Sequence, residues 1–198
     1  MVDFVCFTDN PQLQFSSGNW NIRPIPSELR NLPKVKQQRV LKACPHKYLP
    51  EYDISLWVDG NLTILCDVMK FIQGYDMSKI KLYTRKHPAR TCIYKEAQAV
   101  VKFHKDTPAN IKPQVDKYKS EGFPVNFGLH ETCVILREHN DREVQLFDNM
   151  WASQILTYSH RDQMSFDYCR WKCNLTIGHL KIGQLTKDNN FRWRPHGK

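Results

Sequence analysis

The stretch of sequence that decides the fold is Ile-Ser-Leu-Trp-Val-Asp-Gly-Asn, residues 54–61. Apolar residues at positions 54, 56 and 58 alternate with the residues between them, which predicts a β-strand with one apolar face. Asp59 and Gly60 then break the alternation and end the strand. In α/β proteins the carboxyl ends of the strands face the ligand, so we expect Asp59 to lie at a binding crevice.

Two interpretations of the turn at residues 59–61 remain open. Asp59 and Asn61 provide two hard oxygen donors, which can share a divalent cation that also holds a diphosphate. Asp-Gly between two apolar runs is, however, also the strongest short signal for a β-hairpin, and residues 62–65 supply the second run. Spacing alone favours the hairpin, although a hairpin tip can itself present metal ligands.

Strands and helices alternate along the rest of the chain. Short apolar runs predict strands at 4–7, 20–22, 52–59, 62–65, 79–83, 132–136 and 175–177. Residues typical of helix N-caps, and prolines typical of the first helical turn, predict helices that begin close to Pro33, Pro88, Pro108, Asp141 and Ser159. This order predicts an α/β fold in layers around a central sheet. We expect one domain over residues 1–185 and a polar C-terminal tail over residues 186–198.

Composition narrows the class of protein. The 198 residues are 41% hydrophobic and 25% charged, which excludes a disordered tail, a collagen and a coiled coil. A net charge of +9 favours an anionic partner. The seven cysteines are odd in number and lie mostly in apolar runs, so we expect reduced thiols. Neither a signal peptide nor a membrane span of about 20 apolar residues is visible, so we expect a cytoplasmic protein.

Three further groups of polar residues are candidates for chemistry. His87, Arg90 and Tyr94 lie where a strand passes into a helix, and a helix N-terminus with nearby cations favours a phosphate or carboxylate. The simpler interpretation is an ordinary helix start with a charged, solvated face.

No Gly-x-Gly-x-x-Gly, P-loop, His-Glu-x-x-His or Gly-x-Ser-x-Gly motif is present. This excludes the common classes of dehydrogenase, NTPase, zincin and α/β-hydrolase.

The other two groups flank the second half of the chain. His130 and Glu131 precede a buried strand, where Glu131 could take a hydroxyl proton or bind sugar hydroxyls; equally, this is a glycine loop entering a strand. Ser159 and Asp162 resemble a capping box, which needs no catalytic role. Against that simpler interpretation, Asp162, Gln163 and their neighbours form a polar cluster that is costly to bury without a partner or a function.

Six motifs in order resemble one family. They cover most of the chain, from Asp3 to about Trp171, and together they are similar to the TOD/MUCI-type glycosyltransferase-like domain. The motifs are Phe-x-Cys-Phe-Thr-Asp (4–9), Pro-His-x-Tyr-Leu (45–49), Trp-Val-Asp-Gly-Asn (57–61), His-Pro-x-Arg-x-Cys-Ile-Tyr-x-Glu-Ala (87–97), Gly-Leu-x-Glu-Thr (128–132) and Arg-Asp-Gln-x-Ser-Phe (161–166).

The resemblance implies a single-domain, GT-A-like αβα sandwich with a central mixed, mostly parallel sheet. It also implies transfer of a sugar from a nucleotide-sugar donor to a glycan or another hydroxyl acceptor, usually with Mn²⁺ or Mg²⁺. Asp59 and Asn61 occupy the place of the metal-binding Asp-x-Asp motif, with Asn in place of the second Asp. The resemblance assigns the remaining candidates to three roles: donor binding by Thr8, Asp9, Arg39, Lys42, His87, Arg90 and Asp59; catalysis by Glu131 and Asp162; and the acceptor pocket by His130, Gln163 and Tyr94.

One departure from the family pattern affects the expected function. Family members begin with another strand, which helps to bind the nucleotide base, before the segment that here starts at Phe4. A non-catalytic or truncated remnant is therefore the main alternative to a transferase. A ceramide-type lipid hydrolase ranks lower because the histidines show no metal-site spacing. A polyanion-binding module, suggested by residues 191–194, ranks lower because no nucleic-acid motif is present, and we expect no nucleic-acid partner.

Overall fold

The structure is a computed structural model that describes residues 1–10, 12–13 and 18–195. Its strands are β1 (Phe4–Thr8), β2 (Trp20–Pro24), β3 (Ile54–Val58), β4 (Leu62–Ile64), β5 (Leu82–Lys86), β6 (His130–Glu138), β7 (Gly178–His179) and β8 (Phe191–Trp193). Its helices are α1 (Lys34–Ala43), α2 (Pro45–Tyr48), α3 (Val68–Gln73), α4 (Ile93–Lys102), α5 (Pro108–Ser120), α6 (Arg142–Thr157) and α7 (Gln163–Lys172). A short 3₁₀ helix, Ser27–Leu29, precedes α1.

The central sheet has four strands in the order β3-β6-β5-β7. Strand β6 is antiparallel to β3 and β5, while β7 is parallel to β5. Strands β3, β5 and β7 therefore run in one direction and β6 in the other, which confirms the predicted mixed α/β sheet. We call the side on which β3, β5 and β7 end, and β6 begins, the carboxyl edge.

Two short sheets lie outside the central one. Strands β1 and β2 form a parallel pair, and β4 pairs with β8 in antiparallel fashion. In the part of the chain that the structure describes, no strand links β1 to β3, so the β1–β2 pair is separate from the central sheet. Side chains make the connection instead: the Tyr52 hydroxyl donates to Asp3 Oδ2 at 2.8 Å, and Phe7 packs against Tyr48.

Apolar side chains cover both faces of the central sheet. On one face, Ile135 packs with fully buried residues of the helices, among them Trp151 of α6 and Phe166 of α7. On the other face, Leu136 packs with Phe191 and the α3 region. The central sheet is thus enclosed on both sides, as expected for a layered α/β fold.

The predicted C-terminal tail requires correction. Residues 191–193 form β8, whose main chain pairs with β4, and the Phe191 side chain is fully buried. The packed part of the chain therefore extends beyond residue 185. A run of polar residues concealed a strand that contributes one large apolar side chain to the core.

Two strands also lie a few residues from their predicted positions. Strand β5 spans 82–86, and β7 spans 178–179. Gly178 lies so close to the Tyr83 ring that a Cβ atom there would come within 2.2 Å of it. This close approach, which depends on tertiary packing, fixes where β7 pairs.

All seven cysteines are free thiols. Within residues 1–10, 12–13 and 18–195, no helix combines the length and the apolar character needed to cross a bilayer.

Candidate active site

Asp59 follows the last residue of β3 at the carboxyl edge. Its backbone N–H donates to the carbonyl of Cys133, and its own carbonyl accepts from Leu62 N–H, which closes a tight turn. The strands on either side of this turn belong to different sheets, β3 to the central sheet and β4 to the β4–β8 pair. The predicted β-hairpin is therefore wrong: the turn carries the chain from one sheet to another because β6 and β8 compete successfully for its two flanking strands.

Lys42, near the C-terminus of α1, joins Asp59 to Asp162. Its fully buried Nζ lies 3.0 Å from Asp59 Oδ1 and 2.7 Å from Asp162 Oδ2. Arg39, one turn earlier on α1, lies 3.3 Å from Asp162 Oδ2 and 3.8 Å from Asp59 Oδ1. The Trp57 indole N–H donates to Asp59 Oδ1 at 2.7 Å. Two cations thus balance two carboxylates that lie about one hundred residues apart in the sequence.

Asp162 lies at the N-terminus of α7 and is held rigidly. Its carboxylate accepts from the Thr132 hydroxyl at 2.9 Å, and its main-chain carbonyl accepts from the Trp151 indole N–H at 2.8 Å. Burial alone would raise the pKa of Asp162, but the Lys42 and Arg39 charges hold that pKa well below its usual range. Asp162 is therefore ionised, and its role here is to hold the cluster together.

An irregularity in β6 directs Thr132 toward this cluster. The pairing of β5 with β6 shifts between Thr84 and Arg85, so three residues of β6 have no partner on β5. The Thr84 hydroxyl lies within hydrogen-bond distance of the carbonyls of Glu131 and Val134, where it stabilises the distorted segment. Bulges commonly re-aim a side chain beside a functional site.

Glu131 does not join the Lys42 cluster. Its carboxylate forms an ion pair with the Arg85 guanidinium of the neighbouring strand, and Thr132 is the β6 residue that contacts Lys42. Of the two carboxylates predicted to act as the catalytic base, Asp162 lies in the cluster with Asp59, and Glu131 is held beside it by its own cation.

A second buried ion pair supports the end of α1. Arg137 on β6 and Asp148 on α6 are both almost completely buried, and Arg137 Nη1 lies 2.6 Å from Asp148 Oδ1. Arg137 also donates to the carbonyls of Lys42 and Ala43, the last two residues of α1. A positive charge at a helix C-terminus is favourable, so Arg137 fixes the helix end that carries Lys42.

The opposite end of α1 borders a cleft of about 460 Å³. Thr8 and Asp9, at the end of β1, line this cleft, and Lys34 in the first turn of α1 lies 2.6 Å from Asp9 Oδ2. The remaining lining residues are Asn10, Pro24, Ile25, Arg30 and Gln37. Helix α1 therefore connects the predicted nucleotide side of the site to the Asp59 side.

His87 and Arg90 contact each other and Glu96 rather than the Lys42 cluster. His87 Nδ1 accepts backbone N–H groups of Ala89 and Arg90, while the Arg90 side chain forms an ion pair with Glu96. Burial and the Arg90 charge lower the pKa of His87. The group is closed on itself and largely buried, so it is not the solvated face of the simpler interpretation, and α4 begins at Ile93 rather than close to Pro88.

Tyr94 lies at a separate cavity, and Gln163 directly follows Asp162. The Tyr94 hydroxyl donates to the Phe123 carbonyl at 2.8 Å beside a separate cavity of about 470 Å³. Gln163 is the first residue of α7, and its buried Nε2 lacks a hydrogen-bond partner within the described part of the chain.

The sequence did not predict that Asp167 and His179 lie next to His130. His130 Nδ1 lies 2.7 Å from Asp167 Oδ1, and His130 Nε2 lies 3.2 Å from His179 Nε2. No local motif joins these three residues, because they come from β6, α7 and β7. The local signal for Asp167 was its place on the helix predicted to begin close to Ser159.

Comparison with known proteins places this arrangement in a family. Residues 8–192 match the family described as TOD1/MUCI70, glycosyltransferase-like domain. The chain belongs to this family. It is 32% identical over 167 residues to the probable hexosyltransferase MUCI70 of Arabidopsis thaliana, covering 78% of the chain and 28% of the relative. It is 24% identical over 177 residues to the alkaline ceramidase TOD1 of the same plant, covering 84% and 38%.

This TOD1/MUCI70 domain therefore spans roughly a third of each of these two curated relatives. Among solved structures it resembles the bifunctional glycosyltransferase WbbM in its apo form, with a TM-score of 0.51 at 10% sequence identity. The match covers 85% of this chain and 30% of that protein. At this identity the likeness concerns the fold, and it agrees with the predicted GT-A-like architecture.

The residues at Asp59 fit one kind of divalent-cation site. The contacts of Asp59 described above all go to Oδ1, which leaves Oδ2 for a ligand. No group of three or more His, Cys, Asp or Glu side chains in the described segments could hold a metal ion. Mg²⁺ in nucleotide sites takes one or two carboxylates and completes its shell with phosphate oxygens and water. The free oxygen of Asp59 is compatible with such a shared site, whereas the described residues do not form a cation site held by protein ligands alone.

Proposed function

We propose that this TOD1/MUCI70 domain is a glycosyltransferase that moves a sugar from a nucleotide-sugar donor to the hydroxyl group of a glycan or another acceptor. The observation that carries the proposal is the meeting of Asp59 and Asp162 around Lys42 at the carboxyl edge. Buried charged residues assembled from three distant segments are typical of functional sites. The family match and the glycosyltransferase-like fold support the same activity.

The donor would bind along α1. The nucleotide would occupy the cleft beside Thr8 and Asp9, and its diphosphate would lie toward the other end of the helix. Arg39 is the best-placed cation for the diphosphate because its side chain is partly accessible and its buried Nε lacks a hydrogen-bond partner in the described chain. Lys42 is fully buried, so it would act by fixing Asp59 and Asp162.

Asp59 and Asn61 would hold Mn²⁺ or Mg²⁺ together with the diphosphate. When bound, the cation would neutralise the charge that develops on the leaving diphosphate. The chain itself orients Asp59 through Trp57 and Lys42, so that Oδ2 is presented to the ligand. Because Asn61 carries no charge, the cation should bind weakly in the absence of nucleotide.

The test is to measure binding and nucleotide release with UDP- and GDP-hexoses, with and without Mn²⁺. Asp59→Asn keeps the shape of the side chain but removes its charge, so we expect metal-dependent binding and turnover to be lost while the protein stays folded. Asp116→Asn, an exposed position on α5, is the matched control and should behave as the unsubstituted protein does.

Two results would contradict the proposal. If no nucleotide-sugar binds to the unsubstituted protein, the domain is a non-catalytic member of its family. If Asp59→Asn retains full metal-dependent activity, Asp59 does not take part. Loss of folding in Asp59→Asn would instead show that the residue serves the turn. Trp57→Phe, which removes the indole hydrogen bond to Asp59 together with part of the ring, would then test the same carboxylate.

A further inference from the structure

Two imidazole rings face each other at the carboxyl edge. Nε2 of His130 and Nε2 of His179 are 3.2 Å apart, and the two rings are almost parallel, with an angle of 6° between their planes. One nitrogen must therefore donate a hydrogen to the other. His130 is nearly buried, whereas His179 is exposed. The pair connects the interior of the protein to its surface.

A buried carboxylate fixes which nitrogen of His130 carries the proton. Asp167 is fully buried, and its carboxylate accepts from the backbone N–H of His130 at 2.9 Å and from the Arg170 side chain at 3.1 Å. Because its Oδ1 also faces His130 Nδ1, that nitrogen holds a hydrogen. The lone pair of neutral His130 then lies on Nε2 and points at His179.

The pair lies beside the cluster that contains Asp59. His130 and Thr132 are two residues apart on β6, roughly 7 Å along a strand. Both contact α7, His130 through Asp167 and Thr132 through Asp162. Strand β7 ends at His179 and pairs with β5, so the exposed ring opens on the same edge of the sheet.

The surroundings of His179 favour a neutral ring. The charged and titratable groups that face it are His130 on β6, Lys86 on β5, and Arg170 and Asp167 on α7. Desolvation and the positive charges among these groups lower the pKa of His179. The same positive charges oppose a divalent cation, so the two facing nitrogens are better suited to a proton than to a metal.

We propose that His179 is the general base that activates the acceptor hydroxyl, and that His130 and Asp167 are positioning residues that spread the resulting charge. This role rests on the proposed transferase activity. Both other candidates are already paired with cations, Asp162 with Lys42 and Arg39, and Glu131 with Arg85. We call the contacts from His179 through His130 to Asp167 the relay. Among the residues that the structure describes, no ion pair occupies its exposed end at His179.

The proton balance of the step is complete. The hydroxyl oxygen forms a bond to the anomeric carbon while the bond from that carbon to the diphosphate breaks, and its electron pair leaves with the diphosphate. The hydroxyl proton moves to His179 Nδ1. The hydrogen on His179 Nε2 can then pass to His130 Nε2, which forms an imidazolium beside the Asp167 carboxylate.

The experiment follows nucleotide release from UDP- and GDP-hexoses between pH 5 and pH 9, with water or a glycan as the acceptor. His179→Asn can keep a hydrogen bond to His130 but cannot accept a proton, and we expect its turnover to fall on the order of a hundredfold. His104→Asn is the matched control, since His104 is an exposed histidine far along the chain from this edge. Donor binding should be unchanged in both variants.

Two further variants separate chemistry from structure. His179→Ala opens a space at the surface, so added imidazole should restore much of the lost rate, whereas His130→Ala at the buried position should not be rescued. In Asp167→Asn the acidic limb of the pH–rate profile should move, because the charge that stabilises the imidazolium is gone.

The outcomes are distinguishable from failure of the proposed function. Full turnover in His179→Asn, or an unchanged pH profile in Asp167→Asn, would overturn the relay and leave the transferase standing. Zn²⁺ binding that is lost in His179→Asn, without a change in turnover, would show a metal site in its place. An unsubstituted protein that releases no nucleotide from any donor would overturn both.

Discussion

Helix α1 carries a lysine–carboxylate pair at each end, and the two pairs are chemically alike but differ in their surroundings. Lys34 and Asp9 are 2.6 Å apart, with 85% and 57% of their side chains exposed. Lys42 and Asp162 are 2.7 Å apart, with 0% and 4% exposed. An exposed pair contributes little and can rearrange for a ligand, whereas a buried pair is costly to break. The first pair is therefore suited to binding, and the second holds the site together.

The largest expected effect is on stability when Lys42 is replaced by Met. The substitution leaves Asp162 buried with Arg39 as its remaining cation, and leaves Asp59 without its nearest one. We expect the free energy of unfolding to fall by about 3–5 kcal/mol. Urea denaturation monitored by tryptophan fluorescence measures the change.

Lys34→Met is the matched control on the same helix. Its pair is solvated at both ends, so stability should be almost unchanged while nucleotide binding weakens. Equal losses of stability in the two variants would show that burial does not distinguish the pairs, and the assignment of α1 to a binding end and a framework end would be wrong.

A smaller effect is expected at Gly178. Any side chain there meets the Tyr83 ring, whose hydroxyl donates to the Asp76 carbonyl and so resists movement. Gly178→Ala should cost about 1–3 kcal/mol through overpacking. Because His179 is the next residue, turnover should fall as well, which an activity assay at a temperature well below the midpoint would detect. Gly60→Ala, where a Cβ meets no atom within 4 Å, is the control for stability alone, because Gly60 lies between Asp59 and Asn61.

The sequence was informative where a single segment determines the structure. Residues 54–58 alternate, and the strand that they predict is β3. Helices were predicted to begin close to Pro108 and Asp141, and the caps of these helices, Thr107 and Asp141, both accept backbone N–H groups. Local hydrogen bonding and local hydrophobic pattern are sufficient in these places.

The sequence was uninformative where the structure depends on pairing or contact between segments that are distant in the sequence. The Asp59 turn has the sequence of a hairpin, but β6 and β8 pair with its two strands. Strand β8 is too polar to stand out, and only the burial of Phe191 against α3 explains it. For the same reason Lys42 was selected as a phosphate partner, because nothing near position 42 shows that Asp59 and Asp162 will both reach it.

The smallest expected effect comes from lowering the pH, which titrates the carboxylates of the two pairs on α1, Asp162 and Asp9. The pKa of Asp162 is depressed in the folded protein, so its ionic contribution is fully present above the unfolded pKa of about 3.9 and is lost as the pH falls through the lower folded value. The stability deficit of Asp162→Asn should stay constant from pH 7 to pH 5. Below about pH 4 the deficit should shrink by up to about 1.4 kcal/mol for each unit by which the folded pKa is depressed.

Asp9→Asn provides the contrast, because Asp9 is exposed and its pair with Lys34 is screened by solvent. Its stability should match that of the unsubstituted protein at every pH. Urea midpoints at pH 7, 5, 3.5 and 2.5 measure both variants, and urea is preferred because a denaturing salt would screen the charges under test. A deficit in Asp162→Asn that stays constant down to pH 2.5 would show that its origin is packing. The charge balance around Lys42 would then not be what holds the carboxyl edge together.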